Sequence, residues 1–203
     1  SHHYIMFFTN KGRVYRLKGY EIPEASRTSR GTAIVNLLQL DGEEKVTAVI
    51  PIKEFVDGQY LLMATRGGII KKTKLLEYNS ARKTGLQAIS LKDGDELIDV
   101  RMTDGERNVV MVTHEGMSIT FAESDVKPLG RDTMGVKAID LSKEDYLVDM
   151  LVYKEGYDIL TITENGYGKR TDASEYKIQK RNGKGVKAGI FNEKTGKLVG
   201  LKQ

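Results

Sequence analysis

The chain contains no cysteine. That absence excludes disulfides and thiolate metal sites and fits a reducing compartment. Histidine is scarce, with 3 in 203 residues, and no second histidine or cysteine stands where it could complete a metal site with His114. No apolar run approaches the length of a membrane span, no signal peptide is read at the start, and convincing amphipathic helices are missing. No catalytic constellation is present either. Asp93-Gly94-Asp95-Glu96 could imitate a magnesium site, but it falls between two strand patterns where a turn calls for Asp and Gly. Gly183-Lys184-Gly185 opens no helix and lacks dinucleotide spacing. Ser1-His2-His3 resembles a tag remnant without being enough to establish one.

What is present is one pattern written four times. A threonine closes an apolar run and a short turn ends in glycine: Thr9 with Gly12, Thr65 with Gly68, Thr113 with Gly116, Thr163 with Gly166. About nineteen residues later comes a second glycine, at Gly31, Gly85, Gly135 and Gly185, preceded by Arg27, Arg82, Arg131 and Arg181. Self-similarity at this period indicates like units that bury a core by stacking. The repeats span approximately 4–52, 60–103, 108–153 and 158–203 of a single elongated domain.

Each unit reads as four short strands. The first strands (Tyr4 to Thr9, Tyr60 to Thr65, Asn108 to Thr113, Asp158 to Thr163) are β-branched and aromatic, and a second strand resumes at once, as a tight hairpin requires. A long loop leads to a third strand (Thr32 to Leu40, Leu86 to Leu91, Val136 to Leu141, Val186 to Phe191) and a turn to a fourth, such as Glu96 to Met102 or Tyr146 to Val152. The fold class expected is all-β, a propeller-like array of four-stranded blades forming an open arc of about four blades rather than a ring. Ten residues after the turn glycine lie Ile22, Tyr78, Val126 and Tyr176, which read as loop anchors packed into the blade.

The net charge is only +4, but its distribution is uneven. The segments 11–31, 66–83, 114–137 and 169–187 carry +4, +5, −1 and +5, which leaves −9 on the remainder. Cations at a fixed place in each unit form a line, and a line of charge suits a long polyanion such as duplex DNA. Four residues after the turn glycine stand Arg16, Lys72, Thr120 and Arg170, so the third unit departs. With Glu123, Asp125 and Asp132 in its loop, it is expected to contact DNA least, or to touch a protein neighbour instead. The sharpest motif is Gln179-Lys180-Arg181-Asn182-Gly183-Lys184-Gly185, whose cations and glycines could bring charge and backbone amides close to successive phosphates. The DNA-binding set expected comprises Arg13, Arg16, Lys18, Arg27, Arg30, Lys71, Lys72, Lys74, Arg82, Lys83, Arg131, Lys169, Arg170, Gln179, Lys180, Arg181, Gly183, Lys184 and Gly185.

That heptapeptide resembles the Q-R-R-G-G-K-G box of the C-terminal, DNA-wrapping domains of DNA gyrase A chains, with Lys180 in place of an arginine and Asn182 in place of a glycine. Gly12-Arg13-Val14-Tyr15, Tyr20-Glu21-Ile22-Pro23-Glu24, Ile34-Val35-Asn36-Leu37-Leu38 and Glu164-Asn165-Gly166-Tyr167-Gly168-Lys169-Arg170-Thr171 look like the same domain, so the similarity covers essentially the whole chain. The resemblance implies a β-pinwheel with strand exchange between blades that wraps DNA around a basic rim. It implies a fragment without the first, box-bearing blade and without the last one. It implies no cofactor in this chain and no catalytic residue, the ATP and Mg2+ of the holoenzyme being used elsewhere. The partners implied are double-stranded DNA, the rest of the gyrase A chain and the gyrase B chain in an A2B2 assembly, with no membrane, in the cytoplasm at the nucleoid. The related domain of topoisomerase IV, or a propeller serving as a protein-interaction module, are the alternatives.

Overall fold

The computed structural model describes residues 3–203, so Ser1 and His2 of the tag reading lie outside the described residues. The first repeat supplies β1 (Tyr4–Thr9), β2 (Arg13–Lys18) and β3 (Val46–Ile52). The second supplies β4 (Tyr60–Thr65), β5 (Ile69–Lys74), β6 (Leu86–Gln87) and β7 (Leu97–Thr103). The third supplies β8 (Asn108–Thr113), β9 (Met117–Ala122), β10 (Val136–Lys137) and β11 (Leu147–Tyr153). The fourth supplies β12 (Asp158–Thr163), β13 (Gly168–Asp172), β14 (Val186–Lys187) and β15 (Leu198–Lys202).

The sheets do not coincide with the repeats. Their strand orders are β3-β1-β2-β6, β7-β4-β5-β10, β11-β8-β9-β14 and β15-β12-β13. Each of the first three blades therefore receives its outermost strand from the following repeat. The protein is an all-β pinwheel of antiparallel sheets, with β3, β7, β11 and β15 packed on one another in succession along the inside. Only two residues of each later third strand pair as a strand. The first repeat's segment 32–40 forms no strand: Ile34–Asn36 is a 3-10 turn. Its apolar residues fold back instead onto Phe7, Tyr15 and Leu17, burying Leu38 and leaving Val35 exposed.

Stacking explains the composition of the first strands. β4 and β8 are buried along nearly their whole length on both faces, so they read as apolar runs without alternation. Leu61 and Met63 point into a core shared with Met6, Phe8 and Ile50 of the first blade, and Leu62 and Ala64 into one shared with Val109 and Met111 of the third. A third core joins Val110 and Val112 to Ile159 and Leu198. Each of the larger side chains, Ala64 excepted, contributes roughly 1.5–3 kcal/mol on burial. The cores thus lie between blades, and separating two blades would expose both faces.

The threonine and glycine of each motif close the hairpin turn. The glycine N–H donates to the threonine carbonyl at 3.0 Å in Gly12 and Gly68, and Thr65 Oγ1 accepts the Ile69 N–H at 3.2 Å. Gly12 sits at φ +76, a conformation open to few other residues. The residue after the threonine links neighbours: Arg66 N–H donates to Glu96 O at 2.8 Å in its own blade, while Arg66 O accepts from Leu147 of the next at 2.9 Å. Asp93-Gly94-Asp95-Glu96 is a turn, with Asp95 Oδ1 accepting the N–H groups of Gly67 and Glu96 at 2.8 Å. Three anchors, Tyr78, Val126 and Tyr176, are buried as expected, and Ile22 is half-buried.

Candidate nucleic-acid interface

Strand exchange decides where the cations go. On its way to β6, the segment from Arg82 runs along β2 of the first blade, with Arg16 N–H bonded to Arg82 O at 3.2 Å. The loop of the third repeat covers β5, with Leu129 N–H on Lys72 O at 2.8 Å, and that of the fourth covers β9, with Gln179 N–H on Thr120 O at 2.8 Å. Successive loops also touch. Lys83 Nζ meets Glu21 Oε1 at 2.8 Å, Arg131 N–H donates to Glu77 Oε2 at 2.7 Å, and Arg181 Nε donates to Asp125 O at 3.1 Å. The loops therefore form one continuous outer edge.

On the first blade this edge carries Arg13, Arg16, Lys18, Arg82 and Lys83. Arg16 is held by Asn79 O at 2.7 Å and lies 4.5 Å over the Tyr4 ring, and Arg13 donates to Thr84 O at 3.1 Å. Arg27 and Arg30 are exposed in the first repeat's own loop. The second blade offers exposed Lys74 and half-buried Arg131. The third has no cation on β9 itself, where Ser118, Ile119 and Thr120 are buried, but it receives Lys180, Arg181 and Lys184 with Gln179 from the fourth repeat. Lys169 and Arg170 stand exposed on β13, the outermost strand of the fourth sheet, with Arg170 3.2 Å from Asp158. Charge pairing tunes these groups: the hydrogen bond from Lys83 holds the Glu21 carboxyl below the usual carboxylate range, and one from Lys137 does the same to Asp140.

Several sequence expectations are corrected. Lys71 and Lys72 do not belong to the edge. Lys71 is fully buried, and Lys72, 4% exposed, pairs at 3.0 Å with buried Glu123, which also accepts from Thr103 Oγ1 and, at 3.0 Å, the Arg107 N–H. The basic pattern places both lysines on a strand, but the strand's burial comes from packing. Glu123 is accordingly no surface acid, so the charge-poor loop of the third repeat does not repel through it. That loop borders the second blade rather than the third, which moves the weakest stretch of the edge.

Gly185 has a packing role in strand exchange. It sits at φ +75, and a Cβ there would lie 2.3 Å from Ser118 O, so only glycine lets the incoming strand meet β9. Gly183 is half-exposed, and its carbonyl accepts from Asp140 N–H at 2.8 Å. Arg131 and Arg181 each donate to the preceding repeat's exchanged strand, at Gln87 O (2.6 Å) and Lys137 O (2.9 Å). The arginine at this repeat position is thus partly a clamp. Exposed Lys137 and Lys187, two residues after the second glycine on β10 and β14, escape the sequence reading; their shared repeat position is the signal that could have found them.

A family model described as "DNA gyrase C-terminal domain, beta-propeller" matches residues 3–53, 59–104, 107–154 and 157–203. The DNA gyrase A chain of Clostridium acetobutylicum is 59% identical over 202 residues, covering 100% of this chain and 24% of that protein. The chain therefore spans about a quarter of that relative's length. The crystal structure of the C-terminal domain of DNA topoisomerase IV superposes with a TM-score of 0.90 at 30% identity, covering 99% of this chain and 63% of the other. A DNA gyrase A C-terminal domain gives 0.82 at 28% identity, covering 99% and 65%.

Proposed function

The chain belongs to the DNA gyrase C-terminal domain family, and from that premise we propose that it binds duplex DNA with little sequence preference and bends it around its outer edge. One observation carries the reading: the long loops touch in series, so exposed cations from separate repeats form one basic border. Phosphate contacts of this kind position a duplex without reading bases. Bending 20 to 30 base pairs by 40 to 90 degrees costs on the order of 1 to 6 kcal/mol, which several loops must offset together. Within a gyrase A chain, paired with the gyrase B chain, the bent segment would be delivered to strand passage with a chirality that favours negative supercoils, driven by ATP and Mg2+ bound outside this chain. No group in the chain is assigned a catalytic role.

The test is a titration of a labelled duplex of about forty base pairs at several salt concentrations, with wild type and Lys180→Ala/Lys184→Ala. These lysines are chosen because they are exposed, whereas Arg181 also holds the preceding strand. Weakened binding and a shallower salt slope are expected. Indifference to both salt and mutation would leave the protein-interaction platform as the better reading. The match to the gyrase C-terminal domain family model over nearly the whole chain, with the 59% identity to a gyrase A chain, supports gyrase over the topoisomerase IV alternative.

A further inference from the structure

Two equivalent junctions along the edge share two bonds, one from the loop arginine and one from the amide at Ser90 or Asp140, and differ in the third bond and in the side chain behind them. At the first, segment 87–90 on the first blade meets 131–133 on the second: Arg131 Nη1 donates to Gln87 O (2.6 Å), Ser90 N–H to Thr133 O (3.0 Å) and Ser90 Oγ to Asp132 O (2.8 Å). At the second, segment 137–140 meets 181–183: Arg181 Nη1 donates to Lys137 O (2.9 Å), Asp140 N–H to Gly183 O (2.8 Å) and Asn182 N–H to Ala138 O (2.6 Å). Behind the second junction stands Ile119, which is buried and apolar. Behind the first, at the same repeat position, stands Lys71. Its Nζ donates to Ala88 O at 2.8 Å, to Thr133 O at 3.2 Å and to Arg131 O.

Three carbonyls from two chain segments on one buried ammonium use all three of its protons. Ala88 O keeps a second donor in Tyr78 Oη at 3.1 Å, and Thr133 O keeps Ser90 N–H. A buried ammonium is costly to keep, so an apolar side chain like that of Ile119 would be the cheaper filler. The arrangement instead trades burial cost for a fixed crossing.

We propose that Lys71 is a positioning residue for DNA bending: it locks the exchanged strand of the first blade to the loop bordering the second, and so sets the step between those two blades and the local curvature of the basic edge. This rests on the DNA-bending reading above. Lys71 touches no phosphate, being buried. Burial also pulls its ammonium down to about 8, with Glu77 and Asp132 opposing and Arg131 adding to the shift. The neutral amine has two N–H groups and cannot serve three carbonyls.

The experiment measures the bend of a doubly dye-labelled duplex of about forty base pairs at saturating protein, for wild type, Lys71→Met and Lys71→Arg. At neutral pH, Lys71→Met should lower the bend while its dissociation constant stays within about threefold and its salt slope is unchanged, no phosphate contact being lost. Raising the pH from about 7 to about 9.5, toward the ordinary lysine range, should reduce the wild-type bend. Lys71→Arg, charged throughout, should bend DNA at neutral pH and show no such fall.

An unchanged bend in Lys71→Met, or a wild-type pH profile identical to that of Lys71→Arg, overturns the proposal. So does a salt slope smaller by about one, which would make Lys71 a phosphate contact. Should Lys71→Met not fold, the other two proteins decide through their pH profiles. Hydrogen exchange of the free protein separates this inference from the reading it rests on: the Ser90 amide should exchange about tenfold faster in Lys71→Met. If wild type fails to bind DNA, the bending function falls, and unchanged exchange at Ser90 would additionally remove the lock.

Discussion

Among the described residues Asn182 alone combines a side chain with a positive φ, +72. It stands where the resembled box has glycine, and its N–H makes the 2.6 Å bond to Ala138 O that pins the fourth repeat's loop to the third's exchanged strand. Asparagine tolerates this conformation, while a β-branched residue does not. Asn182→Val should therefore cost on the order of 1–2 kcal/mol in urea unfolding, and Asn182→Gly should stay within about 1 kcal/mol. The Lys72–Glu123 pair makes a second case at this scale. Glu123→Gln leaves the ammonium of Lys72 buried without its counter-charge and should cost about 3–5 kcal/mol, most of which Lys72→Met in the same protein should restore. A third concerns pH. Burial pushes the Asp99 carboxyl up to about 6, with Arg101 at 2.8 Å opposing and Asp149 reinforcing the rise. A carboxyl whose folded value exceeds its unfolded one binds its proton more tightly in the native state, so its contribution is complete below about pH 4 and is lost as pH rises through about 6. Compared with Asp99→Asn across that window, wild type should lose melting temperature toward neutral pH; parallel curves would refute the assignment.

At the scale of elements, the hairpins were readable because their causes are local: a threonine and a glycine close each turn, and the strands carry β-branched runs. The exchanged strands were not. Leu86–Gln87, Val136–Lys137 and Val186–Lys187 pair for only two residues each, and their partners lie in the preceding repeat. The same sequence position in the first repeat forms no strand at all, and strand propensity depends strongly on such context. Gly185 and Gly31 give the matching test. Both sit at positive φ, but a Cβ on Gly185 would strike Ser118 O, whereas around Gly31 nothing lies within 4 Å. Both alanine substitutions incur backbone strain, and Gly185→Ala should cost roughly 1–3 kcal/mol more for the overlap. Equal losses in denaturant midpoints would mean that close strand approach is not what this glycine provides.

For the whole molecule the quantity at stake is how many cations act together. With Lys71 and Lys72 inside and about six exposed cations meeting phosphates, log K against log salt should fall with a slope near roughly −5. Ligation of nicked circles in the presence of the chain should shift linking number in one direction; topoisomers left unchanged would reject chiral wrapping while leaving binding intact. Here the order of charge along the edge differs from its order along the chain. The fourth repeat's box arms the third blade, and the charge-poor third loop borders the second.

Periodicity, turn chemistry and the clustering of basic residues are properties of neighbours in the chain, and the amino-acid order alone sufficed for them: repeated strand–turn units, all-β blades, basic clusters, family resemblance. Which lysines meet solvent, which arginines clamp a neighbouring strand, and which blade each loop serves depend on pairing between residues some forty to sixty positions apart, as in Lys71 with Thr133 or Arg181 with Lys137. Burial of a charge is settled by what packs over it, and for both buried lysines the covering segment comes from the next repeat.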